Sequence, residues 1–432
     1  MSSARAPRLD LAHIDGMRGI LAAFVVVAHT VQFTGVAGSV ATSMPFVYRV
    51  LSAGDLRVPA FIAISGFTMM IAVSGRHDLR LGTSYGAYAK RRIRRLVPPY
   101  LAALVLALAL IAFVPVMNEP HGTVWDDKLP VTLQGIVTHV FLLHNLSPEW
   151  ITSINGTLWS LPIEMQLTLL MPVLLLLWRR THPVVVIVVS FALAVLSIAT
   201  GVGAWSAPHF LGVFGVGMYG AFLVIGSEDD LRRRRPRAVQ RMLRHQRSVL
   251  VVALVVLTAA FAQVAAAPGI VHGAVTGTVA GFGITLLLMV LAEGQRTGRV
   301  GTHGVRRFLG GRRLVQSGLV SYSVFLVHSP LLALGNLLLL PLGLPTPAQF
   351  GLMLFVVAPV VVAVCVVFAV LVERPFMNSH QRALLGELFG RRAVPDAPLI
   401  APAVAPAVPA VPVSGGRRRA AAGATGPRPR RR

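Results

Sequence analysis

The sequence predicts an all-α, polytopic integral membrane bundle of about ten spanning helices, and three observations lead there. The 432-residue chain is 55% hydrophobic and only 13% charged, about half the charged share of a soluble protein. Its apolar residues fall in long uninterrupted runs, each at or near the roughly 20 residues that cross a bilayer. Its Lys and Arg residues sort almost entirely to one side of those runs. Length alone would suggest about three soluble domains, but the runs fill most of the chain and must bury their faces together.

The runs lie at 16–35, 57–74, 96–117, 158–178, 184–203, 208–226, 249–267, 271–293, 315–340 and 350–372. The first follows a short segment, 1–15. Asp10, Asp15 and Arg18 interrupt its approach, so it reads as a retained helix and not a cleaved signal. The third is preceded by Arg91, Arg92, Arg94 and Arg95 and opens with Val97-Pro98-Pro99-Tyr100, where proline suits a helix start. A weaker segment, 131–146, carries His139 and His144 between Asp126-Asp127 and Pro148-Glu149, and reads as re-entrant or interfacial. From 376 to 432 the chain is expected to form a disordered, basic, Pro/Ala/Arg-rich tail.

Charge tests this topology. With both termini cytoplasmic, 36 of the 40 Lys and Arg residues fall in cytoplasmic segments, and only Arg49, Arg57 and Lys128 on the other side. Arg18 sits inside the first span. Without the tail the count is still 25 against three. A full crossing by 131–146 would reverse every later loop and destroy the asymmetry. The formal net charge of +24 is therefore read as topology and contact with anionic lipid; no nucleic-acid partner is expected. The run Arg232–Arg235 reads as such an anchor. The single cysteine, Cys365, excludes a disulfide within one chain and argues against a Cys-based metal site; no metal is expected.

Ionisable groups inside spans are costly and mark function. Arg18 and His29 stand eleven residues apart in the first span, close to three turns and about 16 Å of rise, hence on one face. Glu164 is expected to be the only acidic residue deep in a span, about two turns from the outer end of the fourth, at a depth similar to His29. That depth allows a His–carboxylate pair. Arg92 and Arg95 form a basic patch able to hold phosphates. Ser321 and His328 share a face but are two turns apart, about 10 Å, too far for a nucleophile–base pair. His328 is expected to line the site.

Together these segments resemble the acyltransferase family 3 of membrane acyltransferases over about residues 9–375. The resemblance rests on the Arg18-x10-His29 spacing, Ser65-Gly66-Phe67, the Arg92-x-x-Arg95 pair before Pro98 and Tyr100, Trp159-Ser-Leu-Pro-Ile-Glu164 with Gln166 and Pro172, and Ser321-Tyr322 with His328-x-Pro330. Thr168 and Phe325 depart from aromatic residues common in the family. The transmembrane domain is accordingly drawn at 16–375.

The resemblance implies transfer of an acyl group, acetyl or another short chain, from acyl-CoA on the cytoplasmic side to a hydroxyl of a sugar-containing acceptor. It implies no permanently bound cofactor; acyl-CoA, with acetyl-CoA the expected donor, is a co-substrate. His29 would be the general base and Glu164 its support. Arg18, Arg92 and Arg95 would hold the CoA phosphates, and Ser65, Trp159, Ser321, Tyr322 and His328 would line the substrate. An acyl-His29 intermediate is an alternative within the same chemistry. A transporter or flippase for a sugar-linked substrate explains the helices but not the motif set. The composition points to a bacterial plasma membrane.

Overall fold

The computed structural model describes residues 12–51, 56–74, 79–264 and 270–387. Among the described residues ten helices are long and apolar enough to cross a membrane: α1 (Ala12–Phe33), α2 (Arg57–Ser74), α3 (Tyr85–Phe113), α4 (Gly156–Arg180), α5 (Pro183–Thr200), α6 (Ala204–Val224), α7 (Gln246–Gln263), α8 (His272–Arg296), α9 (Arg312–Leu342) and α10 (Thr346–Phe376). No strand occurs among the described residues. The protein is thus an all-α, multi-pass membrane protein, as the apolar runs require. Lipid offers the backbone no hydrogen-bond partners, so each crossing must satisfy its own.

Burial separates inner from outer helices. In α2, 72% of the spanning window is buried; in α5, 28%. Val184, Val185, Val188 and Val189 of α5 all face outward, a surface suited to acyl chains and not to water. Two apolar cores result. One gathers α2, α4, α6 and α8, with Phe67 and Phe214 fully buried. The other gathers α3, α9 and α10 around Tyr100, Leu104 and Leu326. Helix α1 serves both, giving Ile14 and Met17 to the first and Val26 and Phe33 to the second.

Glycine decides how closely α1 approaches α9. A Cβ on Gly19 would stand 2.7 Å from the carbonyl oxygen of Leu314, and one on Gly318 would collide with the carbonyl of Asp15. In lipid, helix association depends on such close backbone contact, since lipid tails are as apolar as the helices. This contact sets the register that brings the far end of α1 against the middle of α9.

Three local expectations are corrected. Helix α3 does not begin at the proline pair. It starts at Tyr85, where the Ser84 hydroxyl accepts from Ala87 N at 3.3 Å. Its 29 residues span about 44 Å, more than the roughly 30 Å hydrocarbon core, so the arginines ride on helix that extends past the membrane. Pro98 and Pro99 lie inside it and supply no N–H for the carbonyls of Arg94 and Arg95. The basic run 232–235 is not a uniform lipid anchor. Arg232 is exposed, but Arg234 caps helix ends through Ser74 O and Ile225 O, and Arg235 bonds Leu223 O and Glu293. Residues expected in the disordered tail are partly ordered. Ser379–Glu387 is helical, with Leu385 buried and Glu387 paired to Arg312 at 3.2 Å. Residues 388–432 lie outside the described residues.

The segment 114–155 is not among the ten spanning helices. It holds 3-10 turns and one short helix, Leu133–Val140. His139 and His144 stack with ring centroids 3.8 Å apart and 4° between planes. Burial, above all, pushes both below the usual imidazole value, to about 4 and about 3, so both rings are neutral near pH 7. His139 Nδ1–H donates to Gly135 O at 2.7 Å, and His144 Nε2–H to Leu158 O at 3.2 Å. The second bond ties down the first turn of α4.

Candidate functional site: a histidine pair beside a cationic cavity

The α1–α9 contact places His29 against His328, Nδ1 to Nε2, at 2.7 Å. The hydrogen bonds fix the tautomers. His328 Nδ1 lies 2.6 Å from Val324 O, and a carbonyl only accepts, so Nδ1 carries the proton. In the neutral ring Nε2 is then an acceptor. His29 Nδ1 must donate to it, which leaves His29 Nε2 with the free lone pair. His29 lines a cavity of about 600 Å³. The arrangement has the layout of a base held by an orienting partner, with a neutral imidazole and a backbone carbonyl where a carboxylate often stands.

Proline explains how α9 is held. Pro330 has no N–H, so the carbonyl of Leu326, one turn earlier, loses its helical partner. Asn155 fills the gap, its Nδ2 donating to Leu326 O at 3.0 Å. The Thr157 hydroxyl lies 3.3 Å from Phe325 O and 2.9 Å from Asn155 Oδ1. Ile154, just before, is a fully buried β-branched residue at φ 63° whose N–H reaches Lys128 O at 3.2 Å. A side chain of that kind is strained in this region. The turn is therefore imposed by its surroundings, and it delivers Asn155, Gly156, Thr157 and Trp159 to the cavity side of α9.

A second group of polar residues forms elsewhere. Glu164 accepts a hydrogen bond from the Ser65 hydroxyl and lies within electrostatic reach of Arg18 and Arg92. Arg18 also faces Asp15 at 3.6 Å, and the Arg92 guanidinium sits 5.9 Å from the centre of the Tyr88 ring. Arg95 is paired with Glu373 at 3.0 Å. Glu373 is fully buried and also accepts from the Ser323 hydroxyl at 2.6 Å. Tyr322 donates to Leu96 O at 2.7 Å and, with Glu164 and Tyr100, lines a hollow of about 10 Å³.

The predicted site residues thus divide into two sets, and the expected His29–Glu164 pair does not form. Depth along two helices is legible in sequence; the face each helix turns to the other is not. His29 pairs with His328, and Glu164 with Ser65, Arg18 and Arg92. Trp159 lines the large cavity and Tyr322 the small hollow. Ser65 and Ser321 spend their hydroxyls within the protein, Ser321 on Gly318 O at 2.7 Å. His328 sits behind His29. Glu164 is also not the only buried acid in a span. Glu373 is another, carried inside α10 by a π-helical turn, Ala369–Glu373; the apolar run before it hid its depth. Arg57 and Lys128, counted only as rare charges on one side, both line the large cavity. Their rarity on that side was the available signal.

No curated protein and no solved structure matches this chain. A family description does: "Acyltransferase domain", over residues 11–373, nearly the whole membrane region. The first and last helices of the match contribute to the same bundle. The chain belongs to acyltransferase family 3, a family of membrane acyltransferases.

Proposed function

We propose that this protein transfers a short acyl group from acyl-CoA to a hydroxyl of a sugar-containing acceptor, with His29 as general base. The observation that carries the proposal is the hydrogen-bond chain Val324 O–His328–His29, which leaves His29 Nε2 basic beside a large cavity. Nε2 removes the proton from the acceptor hydroxyl as its oxygen attacks the thioester carbonyl. The tetrahedral intermediate collapses, the C–S bond breaks, and the thiolate takes the proton back from His29. The products are the ester and CoA thiol. While His29 is an imidazolium, His328 Nε2 accepts its Nδ1–H and stabilises the charge.

In this reading both termini are cytoplasmic and the membrane is a bacterial plasma membrane, as the charge asymmetry supports. Arg18 and Arg92 hold CoA phosphates near the cytoplasmic end, with Glu164 and Ser65 fixing their positions. Arg95 is engaged by Glu373 and serves to hold α3 against α10. The Arg18-to-His29 rise of about 16 Å is of the order that a pantetheine arm bridges.

The test is release of free thiol from acetyl-CoA by detergent-purified protein, with sugar acceptors. His29→Ala is expected to lower turnover about 10²- to 10⁴-fold in protein that keeps its thermal unfolding profile. Undiminished turnover in folded His29→Ala would remove His29 from the chemistry.

A further inference from the structure

The cavity beside His29 is cationic. Arg57 and Lys128 line it with His29, and among the described residues its lining contains no aspartate or glutamate. Lys128 is the informative member. It is 7% exposed, and its ammonium makes no hydrogen bond or ion pair among the described residues. Burial pulls its pKa below the usual lysine value, with Asp127 opposing; Asp127 is itself exposed. It lies within electrostatic reach of His29. A buried ammonium without a partner is costly.

The chain nevertheless makes room for it. A Cβ on Gly156 would stand 2.7 Å from Lys128 Cε and 2.9 Å from Nζ, so the end of the lysine occupies the space that the glycine leaves open. Arg57 is different. It is anchored to α1 one turn before His29, through Phe24 O at 3.3 Å and Val25 O at 3.2 Å, with the Phe24 ring beside it. It adds positive potential to the cavity without being available in the same way. Trp159 and Trp205 supply flat apolar walls, and the buried Ser329 hydroxyl, 1% exposed and unpartnered, lies in the lining.

We propose that the acceptor is anionic: a hydroxylated molecule, of sugar-like size, whose carboxylate or phosphate pairs with Lys128 while its hydroxyl is presented to His29. This rests on the acyltransferase reading above and narrows its acceptor class. Two tryptophans fit a pyranose ring, and one buried point charge fits an anion attached to it. The lysine's desolvation, already met in folding, makes the pairing strong on binding and leaves a neutral sugar with an unsatisfied ammonium.

The test measures binding separately from turnover. Thermal stabilisation of detergent-purified wild type, Lys128→Met and Lys128→Arg is recorded with D-glucuronate, D-glucose 6-phosphate, D-glucose and acetyl-CoA. The expected result is stabilisation of wild type by one of the anionic sugars and not by glucose. Lys128→Met should bind that anion about 10- to 100-fold more weakly, Lys128→Arg should retain part of it, and all three proteins should respond equally to acetyl-CoA. Preference for glucuronate or for the sugar phosphate identifies the anion. Equal response to glucose and both anions, no response to either anion, or an undiminished response in Lys128→Met overturns the proposal. Lys128-dependent anion binding without thiol release would leave the site standing and remove the acyltransfer reading. Thiol release with glucose that is indifferent to Lys128 would do the reverse.

Discussion

His29 donates its Nδ1 proton to Nε2 of His328 across 2.7 Å, and the two rings lie 25° from parallel. The residues are 299 positions apart, on the first and ninth spans. Everything distinctive about the proposed base follows from that bond: its tautomer, its orientation, and the free lone pair at Nε2.

In the proposed mechanism His328 is therefore a positioning residue. His328→Ala is expected to lower kcat about 10- to 100-fold with little change in the KM for acetyl-CoA, and to alter the pH profile of turnover. His328→Gln, whose amide oxygen can still accept from His29, should recover part of the loss. A purely structural role for His328 would show as lost stability without a selective effect on kcat, and with no recovery by glutamine.

Asn155 and Pro330 form a compensating pair. Asn155→Ala leaves the buried Leu326 carbonyl without either partner and should cost about 1–3 kcal/mol. In a Pro330→Ala background the restored N–H can serve that carbonyl, so the same Asn155→Ala change should cost about 1 kcal/mol less. Unfolding in detergent across the four proteins measures this. Equal costs in both backgrounds would falsify the account of why the helix needs Asn155.

The Arg95–Glu373 pair spans α3 and α10. Removing one partner strands a charge on the other, so Arg95→Ala or Glu373→Ala should each destabilise by about 3–5 kcal/mol. The double change should cost clearly less than the two added. Arg92→Ala, in contrast, should weaken acetyl-CoA binding more than it weakens the fold. Binding and thermal unfolding on the same samples separate the roles. A larger loss of acetyl-CoA affinity in Arg95→Ala than in Arg92→Ala would reassign Arg95 to the phosphates.

Asp126 organises the segment that carries Lys128. Burial acts to raise its pKa, but bonds from His121 N, the Thr123 hydroxyl, Gly122 N and Thr123 N outweigh it and hold the carboxyl below its ordinary value. A depressed carboxyl stabilises the fold above its unfolded pKa and loses that effect as pH falls through the folded one. Asp126→Asn should therefore be less stable than wild type near pH 7. The gap should close as pH drops below about 4. A gap independent of pH between 7 and 3 would show that these bonds do not favour the charged form.

The sequence by itself determined the ten spans and the family, and it supplied a charge asymmetry from which the sidedness of the loops is proposed. These follow from one-dimensional quantities: apolar run length, the cost of charge in lipid, and motif spacing. It also marked His29, Arg18 and Glu164 correctly as unusual, because an ionisable group in an apolar run stands out locally. Tertiary structure alone decided their partners. Glycines at 19 and 318 set the α1–α9 register, and that register chose His328 over Glu164 for His29. Glu373, in a π-helical turn, is buried against Arg95, and the end of Lys128 lies in the space beside Gly156. Each of these depends on which faces meet at close range, and residues far apart in the chain leave no periodic trace of that choice.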